Sequence, residues 1–231
     1  MTVTAISAVG LTLTRGGRQL CVDCDLEVPV GELTVIVGPN GSGKTTLLQT
    51  LAGLRTPTAG RVVHHVDPPL GYLPQRPAFR AGFTVAETLE YYRQLAPAGG
   101  RASVPALLER VGLGGRADDP VDGLSGGMLR LFAVGVALIG DPSVLLLDEP
   151  TGGLDPQMRD ALVAIVSEER EGGRAVVLVT HRLGAIDPLV DRVVVMGEAA
   201  SVTVGAKATL CEQTGTGTLE GLYRQLIEVG P

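Results

Sequence analysis

The sequence has no tryptophan, and its aromatic residues amount to 3 Phe and 4 Tyr in 231 residues. None of them precedes Tyr72. An aromatic core is therefore excluded for the first third of the chain, and aliphatic packing must replace it. Lysine is nearly as scarce, with Lys44 and Lys207 against 17 arginines. A lysine at a chemically demanding position is correspondingly informative. Three cysteines (Cys21, Cys24 and Cys211) are too few for a disulfide scaffold. The formal charge of −6 argues against nucleic acid as a partner. The longest apolar run, Leu131–Gly140, is 10 residues, well short of the about 20 that cross a bilayer. Met1–Gly10 lacks the basic start and apolar stretch of a secretory signal. The expectation is a chain without a membrane span, on the cytoplasmic side. What is present is 45% hydrophobic and 19% charged, which excludes disorder. The length suits one large domain or two small ones, with a core that needs no staples.

Apolar alternation in Val3–Leu13 and Leu20–Val30 predicts two strands. Leu33–Val37 reads as a continuous apolar strand and runs into Gly38–Gly43, with a helix expected from about Lys44 to Leu54. Strand, loop and helix in that order begin a parallel βαβ unit. Thr56–Gly60 reads as a turn and Gly71–Pro74 as the end of a short strand. Glu87–Leu95 and Val104–Val111 read as helices separated at Pro97–Gly100, and Gly112–Gly123 as a loop. A helix is expected from Ser125 to near Gly140, and another over Ala161–Glu171. Val144–Leu147 and Ala175–Val179 are strands apolar at every position, hence buried on both faces. Val193–Met196 is a last short strand. Thr214–Thr218 is a linker to an amphipathic helix bearing Leu219, Leu222, Tyr223 and Leu226.

Three motifs carry chemistry. Gly38-Pro39-Asn40-Gly41-Ser42-Gly43-Lys44-Thr45 matches G-x-x-x-x-G-K-[ST] in full. Its glycines let backbone N–H groups converge on phosphate oxygens, and the following helix points its positive end at them. Lys44 supplies a cation for the β- and γ-phosphates, and the Thr45 hydroxyl a hard ligand for Mg²⁺. Thr46 continues the same helix start. The second motif, Val144-Leu145-Leu146-Leu147-Asp148-Glu149-Pro150, delivers two carboxylates at a strand's C-terminal end, where open α/β sheets bind ligands. Asp148 suits Mg²⁺ and Glu149 suits a base for the attacking water. The third, Leu124-Ser125-Gly126-Gly127-Met128, is a Ser N-cap with two glycines exposing N–H groups at a helix start.

In this order the three resemble the ATP-binding subunits of ABC transporters. The phosphate loop matches the family's Walker A motif, Leu124–Met128 its signature and Leu145–Pro150 its Walker B motif. Gly152-Gly153-Leu154-Asp155 resembles the D-loop, Gln75 the Q-loop glutamine and His181 the switch histidine. The match covers about residues 1–196. It implies an α/β fold with a RecA-like core, a mostly parallel sheet, a small antiparallel β region and a helical subdomain. The core spans about 1–78 and 141–200, the helical subdomain about 79–140 and a tail 201–231, in one domain. It further implies Mg²⁺-dependent ATP hydrolysis by a dimer of such subunits packed head to tail. Ser125, Gly126 and Gly127 of one subunit would reach the γ-phosphate held by the other, and Asp155 would communicate across the dimer. Glu149 would activate water, His181 would contact the γ-phosphate, and Gln75 would link Mg²⁺ to the segment facing a transmembrane permease on a separate chain. The subunit would sit peripherally on the cytoplasmic face of the membrane.

Four departures stand out. The family stacks adenine on an aromatic residue some two dozen positions before the loop, and here that place falls near Arg15. A guanidinium plane can stack on a base, so Arg15 either substitutes or points to solvent. Met128 stands where Gln is usual, with Leu129 and Leu131 in place of polar residues. Lys44 to Gln75 is only 31 positions, so the antiparallel region must be trimmed. Glu198–Thr209 lacks the usual Gly-Arg-Val pattern. Met128, the Phe83–Leu89 stretch and the Thr218–Leu226 tail lean toward the exporter branch. A soluble ATPase of the same superfamily, of the iron–sulfur assembly type, is the rival from another class. A subunit that binds ATP and hydrolyses it poorly is opposed by Glu149 and His181. Cys21-Val22-Asp23-Cys24 spells C-x-x-C, but residues three apart on a strand face opposite ways, so the thiols are expected to diverge. His64 and His65 should diverge as well. Tyr91-Tyr92 reads as core packing of the helical segment before partner contact.

Overall fold

The computed structural model describes residues 3–66, 70–96 and 102–228. β1 (Thr4–Arg15) and β2 (Arg18–Pro29) form an antiparallel hairpin, and β4 (Ala59–His64) pairs with the other edge of β1. The hairpin turns on Gly16 and Gly17, both at positive φ (58° and 78°), the pairing that a two-residue turn with native twist demands.

The larger sheet contains β3 (Leu33–Val37), β5 (Leu70–Leu73), β6 (Val144–Asp148), β7 (Ala175–Val179), β8 (Arg192–Met196) and β9 (Val202–Ala206). Their order is β5-β6-β7-β3-β8-β9, parallel except for the antiparallel edge strand β9. The α/β class, with a mostly parallel sheet and a small antiparallel one, is as expected.

Side-chain alternation explains why β3, apart from Thr34, and β6, apart from Asp148 at its end, are apolar on both faces. Leu33, Val35 and Val37, with Leu145 and Leu147, face one core. Ile36, Val144 and Leu146 face the other, together with Leu47, Leu48 and Leu51 of α1 (Lys44–Leu51) and the inner side chains of the hairpin. The first core is covered by α2 (Val85–Leu95), α3 (Val104–Arg110), α4 (Gly126–Leu138), α5 (Pro156–Glu171) and, further on, α6 (Lys207–Thr214) and α7 (Leu219–Glu228). A buried ion network ties α3 to α5 and β7. Glu169 is fully buried and meets Arg110 at 2.5 Å and also Arg174, which in turn pairs with Asp141. No described helix is long and apolar enough to cross a membrane.

Several expected boundaries are corrected. α1 ends at Leu51 rather than Leu54, because Gly53 turns left-handed at φ 71°. Thr56–Gly60 is not all turn: β4 begins at Ala59, and Gly60 lies against the backbone of Gly10 where no Cβ fits. α5 starts at Pro156, five residues before the expected Ala161, under an Asp155 N-cap followed by Pro. β9 and α6 were not expected at all. The loop Gly112–Gly123 contains two single 3₁₀ turns. The break at Pro97–Gly100 lies outside the described residues.

The expectation for Cys21 and Cys24 is also overturned. A bulge, with Asp23 at φ 50°, shifts the register so that Cys24 pairs with Leu11 and Cys21 with Leu13. Both thiols therefore lie buried on the same core face. Burial raises both thiol pKa values, that of Cys24 to about 11 with Cys21 adding to the effect, so they serve as small apolar residues. His64 and His65 diverge as expected, one to the Leu51 carbonyl and the other to the Ser7 hydroxyl. Tyr92 packs edge-on against Phe79, whereas Tyr91 is 55% exposed.

Candidate nucleotide site

The C-terminal ends of β3, β6 and β7 converge on an open cleft of about 180 Å³. Its lining brings together Arg15, Asn40, Gly41, Gly43, Lys44, Thr45, Thr46, Gln75, Asp148, Glu149 and His181. These residues come from five separate segments of the chain. Leu20, which was not singled out from sequence, lines the same cleft.

The loop after β3 is shaped by glycine. Gly43 is the N-cap of α1 at φ 106°, and a Cβ there would meet Leu20 Cβ at 2.9 Å. Only glycine lets β2 and the loop approach so closely. Lys44 is 8% exposed, and its Nζ donates to the carbonyls of Gly38 and Pro39, each at 2.9 Å. Its amine is thus drawn across the loop that is to hold phosphate. Burial lowers its pKa, partly offset by Glu149 and Asp148. Gly38, Pro39 and Ser42 support the loop from behind and do not line the cleft.

Asp148 is fully buried, and neither carboxylate oxygen makes a hydrogen bond. Burial raises its pKa, while Thr45, Lys44 and Arg130 pull it down. An orphaned buried carboxylate beside a threonine hydroxyl fits a Mg²⁺ that keeps its remaining ligands from phosphate and water. Among the described residues no group of three His, Cys, Asp or Glu could form an all-protein metal cage, which agrees with that mode.

Glu149 occupies a backbone conformation that L-residues avoid, at φ 51°. Its N–H donates to the Val179 carbonyl of β7 at 2.9 Å, and its carbonyl accepts from Gly152 at 3.2 Å. This turn aims the carboxylate at the segment after β7. There the His181 N–H donates to Glu149 Oε2 at 3.4 Å, and His181 Nε2 lies 3.2 Å from Oε1. Burial raises the Glu149 pKa, opposed by the His181 N–H, Lys44 and Arg130. Burial, aided by Lys44, lowers that of His181. A buried hydroxyl pair, Thr151 with Thr180 at 2.8 Å, fastens the two segments behind the carboxylates.

The remaining predicted residues lie elsewhere. Ser125 caps α4, accepting from the Met128 N–H at 3.3 Å, and Asp155 caps α5, accepting from the Met158 N–H at 2.8 Å. The two helix starts abut, since a Cβ on Gly127 would meet Met158 Sδ at 2.6 Å. Ser125, Gly126 and Asp155 thus share one surface, with Gly127 buried beneath it, and none of the four lines the cleft.

A second residue that sequence reasoning passed over is Arg130. Its Nη1 donates to the Glu149 carbonyl at 2.6 Å and its Nη2 to the Gln75 carbonyl at 3.3 Å. The one available signal was that Arg130 is the single charged residue in α4.

Comparison with known proteins agrees with this geometry. The family model described as ABC transporter matches residues 21–152. The zinc import ATP-binding protein ZnuC 2 of Hahella chejuensis is 36% identical over 82% of this chain and 77% of its own. The Nod factor export ATP-binding protein I of Burkholderia orbicola is 38% identical over 86% of this chain and 70% of its own. Among solved structures, one titled as the ATP binding subunit of an ABC transporter superposes with a TM-score of 0.85 at 24% identity, covering 96% of this chain and 99% of that one.

Proposed function

The chain belongs to the ABC transporter family and is the ATP-hydrolysing subunit of a transporter, and we propose that its turnover uses Glu149 as the general base. The observation that carries this is the convergence of Lys44, Asp148, Glu149 and His181 on one cleft at the ends of β3, β6 and β7. Lys44 and the N–H groups of Gly41–Thr46 bind the β- and γ-phosphates. Glu149, aimed by its strained turn, takes a proton from the attacking water. His181 orients against the γ-phosphate. Thr45 and Asp148, with Gln75, would hold Mg²⁺, which when bound with the nucleotide neutralises phosphate charge.

The separate surface carrying Ser125, Gly126 and Asp155, over buried Gly127, supports a head-to-tail dimer, in which the signature segment of a second subunit, Ser125, Gly126 and Gly127, faces this cleft. A transmembrane permease on another chain, at the cytoplasmic face of the membrane, is the further partner, and nucleic acid is not one. One ABC-type ATPase domain is read throughout, with a core of about 1–78 and 141–200, a helical subdomain of about 79–140 and a tail of 201–231. The shared apolar core beneath α2–α5 supports that reading. The export lean gains no support from the relatives, which are named for zinc import as well as Nod factor export. It rests on Met128, the Phe83–Leu89 stretch and the Thr218–Leu226 tail.

The test is Glu149→Gln. Turnover is expected to fall by about 10²–10⁴-fold, with nucleotide binding retained and an ATP-bound dimer accumulating on size-exclusion chromatography. Equal turnover of the two proteins would remove Glu149 as the base.

A further inference from the structure

Arg130 sits where three segments meet, and its chemistry there is unusual. It projects from the second turn of α4, whose other residues are uncharged. It spends its guanidinium on two backbone carbonyls, those of Glu149 and Gln75, rather than on a carboxylate. The fork is half-buried and lies over the turn that follows Glu149, since a Cβ on Gly152 would stand 3.9 Å from Arg130 Cζ. Each acceptor matters. The Glu149 carbonyl belongs to the one cleft residue other than glycine held at positive φ, so its conformation persists only where the surroundings over-determine it. The Gln75 carbonyl belongs to the segment leaving β5, at the edge of the same cleft. Arg130 itself does not line that cleft.

We propose that Arg130 is a positioning residue: its two-pronged grip couples the seating of the signature helix α4 to the geometry of Glu149 and Gln75, so that hydrolysis requires α4 docked as it is here. The grip needs both prongs. A planar guanidinium reaches two carbonyls at once, whereas a lysine ammonium at the end of a flexible stem reaches one. The positive charge also lies close enough to Asp148 and Glu149 to favour both carboxylates. Because the contacts are to main-chain oxygens, they transmit position rather than protons. Displacement of α4 relative to the sheet would release the Glu149 turn and slow chemistry without stripping the phosphate loop of any ligand. Misplacement by about 1 Å is enough to cost on the order of 10²-fold in rate.

The inference rests on Glu149 being the base, and the experiment separates the two. Steady-state ATP hydrolysis with Mg²⁺ is measured for the full chain as wild type, Arg130→Met, Arg130→Lys and Glu149→Gln. Melting temperature and ATP affinity are measured alongside. A role in positioning predicts that Arg130→Met lowers kcat by about 10–100-fold with KM for ATP within about twofold. Arg130→Lys should recover only part of that loss. Should Arg130→Met fail to fold, Arg130→Lys, which keeps charge and bulk, carries the same kcat-against-KM reading. The proposal is overturned if a folded Arg130 variant turns over at the wild-type rate while Glu149→Gln does not. It is also overturned if kcat and affinity fall together in proportion to lost melting temperature, which marks a merely structural role. If Glu149→Gln itself turns over normally, the base assignment fails first.

Discussion

The two ends of the nucleotide cleft are built differently. At the phosphate end, Lys44 and Asp148 are buried, Glu149 is held by four backbone or side-chain partners, and hydroxyls lock the segments behind them. At the base end stand exposed Arg15, beside a two-glycine turn, and buried Leu20. Among the described residues no aromatic side chain lines the cleft, as the absence of any aromatic before Tyr72 foreshadows. The difference teaches where binding free energy resides. Charge-assisted contacts to a triphosphate are strong and directional. A guanidinium and a leucine offer a flat, base-tolerant surface without a hydrogen-bonding edge. On the reading proposed above, the cleft is a triphosphate site first and an adenine site second.

The largest way to break that comparison is at the phosphate end. Lys44→Ala removes the cation that the loop draws across the phosphates. Turnover is expected to fall by on the order of 10²–10³-fold, read as phosphate release under saturating MgATP. ATP and GTP should lose affinity together, by equal factors in a fluorescent-nucleotide competition assay. A loss confined to ATP would place recognition at the base instead.

Why the phosphate end was legible from sequence and the base end was legible only in Arg15 follows from how each is encoded. The loop, the strand-end carboxylates and the signature are contiguous segments whose local conformation does the work. β3, β6 and β7 were placed almost to the residue because burial on both faces makes them near-continuous apolar runs, broken only by Thr34 and by Asp148 at the end of β6. β9 was missed because Val202–Ala206 is only five residues long and half-buried throughout, too short and too weakly apolar to stand out from its loop surroundings. α6 was missed because Leu210 is its one buried side chain. The facing of Cys21 and Cys24 turned on a left-handed Asp23, which strand periodicity does not encode. Arg130 and Leu20 gain their roles from partners brought close by the fold. Glu149 lies 19 residues from Arg130 and Gln75 lies 55. Spacing along the chain carries no trace of such contacts.

A smaller change would sharpen the contrast by building what the base end lacks. Arg15→Tyr places an aromatic face beside Leu20 at the mouth of the cleft. Base–aromatic stacking contributes about 1–3 kcal/mol, so ATP affinity should tighten by about tenfold. kcat should hold, since nothing at the phosphate end moves. Isothermal titration of wild type and variant checks this. An unchanged Kd would mean that the base does not reach the β1–β2 turn, and the division of the cleft into two ends would need redrawing.

The smallest expected effect is the most diagnostic for the native residue. Arg15 is exposed and lies across the turn from Arg18. Its long side chain loses rotamer freedom on stacking, and solvent screens its charge. A guanidinium on an exposed π-face contributes about 0.5–1 kcal/mol, so Arg15→Ala should weaken ATP by only about two- to fivefold. GTP should weaken by the same factor, because stacking does not distinguish the purines' edges. The wild-type preference for ATP over GTP should accordingly be slight and should survive the substitution. Unchanged affinity for both nucleotides would take Arg15 out of the site and leave Leu20 as the only surface beneath the base. A loss specific to ATP would mean that Arg15 reads an edge of adenine, and the base end would then be a recognition site in its own right.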